Sequence, residues 1–460
     1  MEHTMISETD AIYQIYLRNF TKEGTFRAAI PQLAHIASMG FTWVYLTPIH
    51  PIGKEARKGS LGSPYAIYDY RAINPELGTL VDFEAFVEAA HASRLKVMID
   101  VVYNHTSPDS VLAREHPDWF LKGPDGKPAR KCEDWSDVVD FDFAASPHLW
   151  VELISTLAMW RDRGVDGFRC DVASLVPADF WKQARTRVNQ YDPGVRKELR
   201  PLVWLAESVH PAFLRRMRSE GYGACSEPEL HAAAFDLTYD YDGWERLEVK
   251  KVKKRGQTPI FKYFEYLYAQ ETLYPKGAKK LRFLENHDQE RAASRFGRGD
   301  MLKAWTVLYQ FLPGVALTYM GQELALEHRP SLFERDPIEP SGGDPHFEQF
   351  FVSSLKATTE AKREAPFFSW SIFDDDAVFC LRSTAPAREA TPIEEAMVKS
   401  GNYLLIARAG GGGRGQTSRA ARLLAPFDIH GTELLSGEPV NYPCGSDIPP
   451  SPALLVRLGN

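Results

Sequence analysis

Short, nearly continuous apolar runs alternate with longer stretches of helical periodicity along the first three quarters of the chain. Eight such runs are predicted as strands: Tyr13 to Leu17, Trp43 to Leu46, Lys96 to Val101, Val165 to Asp171, Leu202 to Glu207, Ala233 to Asp236, Leu281 to Asn286 and Val315 to Tyr319. Each is brief and unbroken, as expected of parallel strands buried on both faces. Between them lie amphipathic helices. One runs from Phe26 and stops at Gly40; another starts from Asp82 as its cap and reaches Leu95. Eight such units predict a (β/α)8 barrel. Beyond Ala365 the pattern becomes short strands with turns (VFCLRS, NYLLIA, ARLLAP, LLVRL), predicting an antiparallel β-sandwich module. The expected division is a barrel over 1–105 and 148–365, an insertion after the third strand over 106–147, and a C-terminal module over 366–460. A last barrel helix is expected from Phe347 to Arg363.

Composition narrows the function. The 460 residues carry 54 Lys plus Arg against 61 Asp plus Glu, a formal charge of −7, which argues against a nucleic-acid partner held by charge. The basic run Lys250, Lys251, Lys253, Lys254 and Arg255 reads as a solvated helix face. No apolar run approaches the roughly 20 residues that span a bilayer, and no leader is visible before the first strand. Five scattered cysteines without a CxxC pair suit a reducing compartment, so a cytoplasmic enzyme is expected. Ten tryptophans offer flat apolar platforms of the kind sugar rings favour.

In a barrel of this type the chemistry belongs at the C-terminal strand ends. Four of the predicted strands end there in polar clusters: Asp100-Val-Val-Tyr-Asn104-His105, Gly167-Phe-Arg169-Cys-Asp171, Leu205-Ala-Glu207-Ser208 and Glu285-Asn286-His287-Asp288. Arg169 and Asp171, two apart, share a face, so the guanidinium is expected to hold the carboxylate ionised. Surface ion pairs would explain any one of these clusters; four at one barrel face indicate a site. There is no HExxH, GxSxG or P-loop. The GxGxxG match at Gly410 to Gly415 falls in the β-rich module with no helix after it and is read as a hairpin. The Asn104-His105-Thr106 sequon, at a barrel mouth, is not read as a glycosylation site. Carboxylates across an aromatic-lined cleft suit glycosidic cleavage.

The four clusters, in this order, resemble the signature regions of the alpha-amylase family of retaining glycoside hydrolases. Ser63-Pro-Tyr65-Ala-Ile-Tyr68-Asp-Tyr70, Val139-Asp-Phe-Asp142, Gly321-Gln-Glu323 and Ser331-Leu-Phe-Glu334 also resemble family segments. The resemblance runs from about residue 11 to 365, and the C-terminal module is similar to the family's domain C. It implies Asp171 as nucleophile, Glu207 as general acid/base and Asp288 as the second acid. It further implies Arg169 orienting Asp171, His105 and His287 bonding the sugar ring, Tyr65 stacked beneath it, and Asp100 among the substrate-binding residues. The α-glucan or malto-oligosaccharide is the implied substrate. Two departures stand out. Where many relatives carry a Lys-His pair after the nucleophile, whose backbone carbonyl serves calcium, this chain has Ser174 and Leu175. With Asn104 as the single candidate ligand, no metal and no cofactor are expected. The segment Glu207-Ser-Val-His210 is also unusual, and His210 is read either as reaching the cleft or as making a structural hydrogen bond.

Three functions are weighed on this basis: an α-1,4-glucan hydrolase, a 4-α-glucanotransferase or isomerase using the same carboxylates, and a catalytically dead binding protein. The presence of all three acids and Arg169 disfavours the third. With the first strand this early, no N-terminal module is expected, and with the short insertion soluble oligosaccharides are expected over granular starch.

Overall fold

In the computed structural model, residues 6–189, 201–246, 259–372, 377–386, 402–409 and 422–459 are described. The basic run near residue 250 and the glycine-rich run near 412 lie outside them. Eight parallel strands close into a barrel in consecutive order: Ala11–Ile15, Trp43–Leu46, Lys96–Val101, Gly167–Cys170, Val203–Ala206, Leu237–Tyr239, Lys279–Arg282 and Val315–Tyr319. The first strand pairs with both the second and the last, which seals the sheet. Alternate residues face two cores. Ile12, Trp43, Met98, Leu205, Leu237 and Leu317 fill the interior, whereas Tyr13, Val44, Val97, Phe168 and Trp204 pack outward against the helices.

Three of the eight strands lie where the pattern places them to the residue, and one differs in kind. Ala233 to Asp236 is not the sixth strand. A capping box between Ser226 and Glu229 starts a helix, Glu227–Ala233, that absorbs the alanines, and the strand follows at Leu237–Tyr239. The seventh strand starts and ends earlier than predicted, at Lys279–Arg282. It carries buried cations that break the apolar pattern: the Lys280 Nζ donates to the Tyr239 carbonyl at 3.0 Å and the Arg282 Nη1 to Asp240 Oδ2 at 2.6 Å. The first strand is shifted two residues towards the N-terminus, because Leu17–Phe20 already turns as a helix.

Helix boundaries follow capping chemistry. The segment from Phe26 is broken at Ile30–Gln32 by Pro31, then resumes as Leu33–Met39 and ends on Gly40 in the left-handed conformation. Asp82 is not the cap of the next helix. Thr79 caps Leu80–Ala92, with Asp82 completing a capping box from within the first turn. The last barrel helix is Pro345–Glu364, capped by Asp344.

The insertion after the third strand contributes a two-stranded antiparallel ladder, in which His105 pairs with Asp140 and Thr106 with Val139. At the C-terminus, six antiparallel strands form one sheet and Leu423–Leu424 with Asp447–Ile448 form a small ribbon. The sheet's Phe379, Leu381, Leu404 and Ile406 pack on the ribbon, while Val378, Cys380, Leu405 and Leu455 belong to the same core as the barrel helices. The five cysteines are all free. Among the described residues no helix is long and apolar enough to cross a membrane.

Candidate active site

Barrel register assembles the site. Asp100 on the third strand pairs directly with Arg169 on the fourth, and both point inward above the apolar layer. The ladder continues one step past the strand ends, with the Asp171 amide donating to the Val101 carbonyl and the Glu207 amide to that of Cys170, each at 2.9 Å. Both carboxylates therefore emerge at the same height.

Arg169, fully buried, is the hub. Its Nη1 donates to Asp100 Oδ1 at 2.9 Å and to Asp171 Oδ1 at 2.7 Å, and its Nη2 lies 2.7 Å from Glu207 Oε1. One guanidinium thus faces three carboxylates. Burial and the nearby Glu207 raise the Asp171 carboxyl above the ordinary aspartate range, and Arg169 only partly offsets them. The expectation that Arg169 alone would keep Asp171 at a low pKa is corrected by this sharing. Asp171 is asymmetric: Oδ1 is held by Arg169, whereas buried Oδ2 has no hydrogen-bond partner.

Glu207 is oriented by two donors, the Val172 amide at 2.9 Å and the Tyr241 hydroxyl at 3.1 Å. Val172 holds that amide in place from a left-handed backbone, φ 41°, a strained conformation for a β-branched residue. Asp288 lies in the loop after the seventh strand, its side chain 37% exposed, with its Oδ2 3.1 Å from His287 Nε2. A buried pair, Arg291 Nη1 donating to Glu285 Oε1 at 2.6 Å, braces that loop.

The remaining expected residues converge on the same floor. Tyr65 donates to Asp100 Oδ2 at 3.0 Å, touches His287 Nε2 and stacks on the His287 ring at 5.4 Å. Burial lowers His287 to about 3 and also lowers His105, so both imidazoles are neutral. His105 Nε2 stands 3.8 Å from Asp171 Oδ2.

Behind His105, Lys131 from the insertion places its Nζ 2.7 Å from Asn104 Oδ1 and 3.5 Å from the Leu175 carbonyl. The Asp140 carboxylate is 3.9 Å away. His210 does not join the cluster at Arg169. Its Nδ1 pairs with Glu245 at 3.2 Å and lies 3.8 Å from Asp242. These three form the one His/Asp/Glu/Cys group close enough to hold a cation among the described residues, and it is partly exposed.

Four contributors escape sequence reading. Gln14 Nε2 donates to His287 Nδ1 at 2.7 Å, and Tyr45 donates to Asp100 Oδ2 at 2.6 Å. Tyr241 orients Glu207. Trp135 from the insertion sets its ring 5.5 Å from that of His105 and packs on Phe213. Trp119, by contrast, is buried against His116. A polar Gln14 within an otherwise apolar strand was the available signal for the first; the two tyrosines need the barrel register, and Trp135 the fold of the insertion.

The chain matches the family description "Alpha amylase, catalytic domain" over residues 7–364. The alpha-1,4-glucan:maltose-1-phosphate maltosyltransferase of Myxococcus xanthus is 34% identical over 284 residues, covering 55% of this chain and 39% of that protein. Alpha-amylase MalA of Haloarcula japonica is 30% identical over 377 residues, covering 79% of this chain and 50% of its own length. The matched region thus spans half or less of these curated relatives. Among solved structures, an alpha-amylase from Lactobacillus plantarum is 35% identical with a TM-score of 0.83, covering 98% of both chains. The maltogenic alpha-amylase AmyB from Thermotoga neapolitana is 29% identical with a TM-score of 0.74, covering 98% of this chain and 97% of its own.

Proposed function

The chain belongs to the alpha-amylase family, and from that premise we propose that it hydrolyses α-1,4-glucosidic bonds in malto-oligosaccharides and related α-glucans by double displacement. The observation that carries this reading is the division of labour at Arg169. Two carboxylates grip neighbouring nitrogens of one guanidinium, which suits the separation of a retaining pair, about 5–5.5 Å, better than the ~6.5–9.5 Å of an inverting pair. Asp171 Oδ2, buried and unpaired, attacks the anomeric carbon and forms the glycosyl-enzyme. Glu207 donates a proton to the departing glycosidic oxygen, then receives one from the water that resolves the intermediate. Asp288, His287, His105, Tyr65 and Asp100 hold the ring, and Trp135 offers a stacking face beside His105.

Hydrolysis is supported by two solved structures that align with nearly the whole chain at 35% and 29% identity, both of them alpha-amylases. The maltosyltransferase relatives favour a second reading, transfer to a sugar hydroxyl, through their identity over the shared barrel region. The free thiols support the expected cytoplasmic location.

A time course of products from maltoheptaose decides between them. Shorter sugars with rising reducing ends are expected. Longer sugars at constant reducing ends would establish the transferase. Glu207→Gln is expected to lower turnover by about 10²–10⁴-fold, and Asp171→Asn at least as much, with the fold retained by circular dichroism. Near-native rates in either would overturn the roles.

A further inference from the structure

We infer that Lys131 is a positioning residue for the reaction: its ammonium stands in place of a bound cation where the insertion meets the barrel and, through Asn104, sets which nitrogen of His105 carries the proton. The inference rests on Asp171 acting as the nucleophile.

The argument begins with hydrogen-bond polarity. An ammonium has only donors. Lys131 Nζ, on a side chain 7% exposed, lies 2.7 Å from the Asn104 side-chain oxygen. That contact fixes the orientation of the amide, since its NH2 group facing Lys131 would set donor against donor. The Asn104 Nδ2 is then the atom 3.1 Å from His105 Nδ1, and an amide NH2 only donates. His105 Nδ1 must therefore accept. A neutral imidazole that accepts at Nδ1 carries its proton on Nε2, the nitrogen 3.8 Å from Asp171 Oδ2. The chain of contacts runs from Lys131 to Asn104, to His105, to the free oxygen of Asp171. It aims an N–H at the attacking carboxylate and keeps a lone pair away from it.

The same geometry bears on calcium, which the family resemblance raises at this place. Calcium takes about 6–8 oxygens at roughly 2.3–2.6 Å. Here Asn104 Oδ1 and the Leu175 carbonyl already face Nζ, and Asp140 Oδ2 accepts the Lys131 amide at 3.0 Å. A dication among these groups would sit against a buried ammonium. The residues present do not fit the ion; Lys131 supplies a positive charge tethered to the chain.

Nitrogen-15 NMR of histidine-labelled protein, with the His105 resonances assigned by their loss in His105→Gln, tests the proton's position directly and independently of any activity. The expected result is an unprotonated Nδ1 and a protonated Nε2, with neither the spectrum nor Tm altered by calcium or EDTA. Lys131→Met removes the donor. It should populate the other tautomer and lower kcat by about tenfold or more while KM stays near native. Lys131→Gln keeps an N–H donor and should retain the native tautomer, and it serves if the methionine variant does not fold. A proton on Nδ1 in the native protein, or a calcium-dependent rise in its Tm, would overturn the inference. So would native kcat in Lys131→Met. Loss of activity in Asp171→Asn with the expected His105 spectrum separates this result from the function itself.

Discussion

At the level of single side chains, the cluster round Arg169 sets three carboxylates against one guanidinium, and that imbalance couples activity to stability. Asp171 has a folded pKa raised above its unfolded value, first by burial and then by Glu207. Its contribution to stability is full below the ordinary aspartate pKa and is lost as pH rises through the higher folded value. Asp171→Asn, which cannot ionise, should melt at a higher temperature than the native enzyme near pH 8, with the advantage vanishing near pH 4. Equal or lower melting of the variant near pH 8 would contradict the assignment. This group of residues was legible in the sequence because Asp100, Arg169, Glu207 and Asp288 sit at or just beyond strand ends, where chain position alone implies a shared face. Tyr45 and Tyr241 were not, since an aromatic residue in or beside a buried strand looks like core until the register shows what its hydroxyl meets. The low pKa expected for Asp171 failed for a related reason: sequence spacing gave Arg169 one partner, and the fold gives it three.

Secondary elements were legible to the extent that burial alone determined them. The second, third and eighth strands are apolar throughout or nearly so and lie where the pattern puts them. The sixth and seventh were misplaced where other chemistry intervened, a capping box beside alanines in one case and buried cations in the other. Capping also governs the helix Leu80–Ala92. Thr79 Oγ1 accepts the Asp82 amide at 3.2 Å, and Asp82 Oδ2 accepts the Thr79 amide at 2.9 Å. Thr79→Ala should therefore destabilise the protein by about 1 kcal/mol, within a range of roughly 0.5–2. A lowered urea midpoint at unchanged slope would register the loss, and an unchanged midpoint would show that tertiary packing holds the helix start without the cap.

Over the whole molecule, the C-terminal sheet is fused to the barrel rather than appended to it. Its inner face shares one apolar core with the barrel helices, and Arg382 reaches across to donate to the Phe311 carbonyl at 2.9 Å. Scanning calorimetry should accordingly record a single cooperative transition; two resolved peaks would mean that the sheet and barrel unfold separately. The sandwich expected from the C-terminal pattern is one sheet and a ribbon among the described residues, because part of its second layer is the barrel itself. The closure of the barrel carries a further consequence, for synthesis. Ala11 pairs with Ala316, so the first strand lacks one neighbour until the eighth has left the ribosome. At about 5–20 residues per second, that leaves an apolar edge open for roughly 15–60 s in every nascent chain. Over that interval the open edge is a site for misassociation, and codons that slow translation before residue 315 would lengthen its exposure.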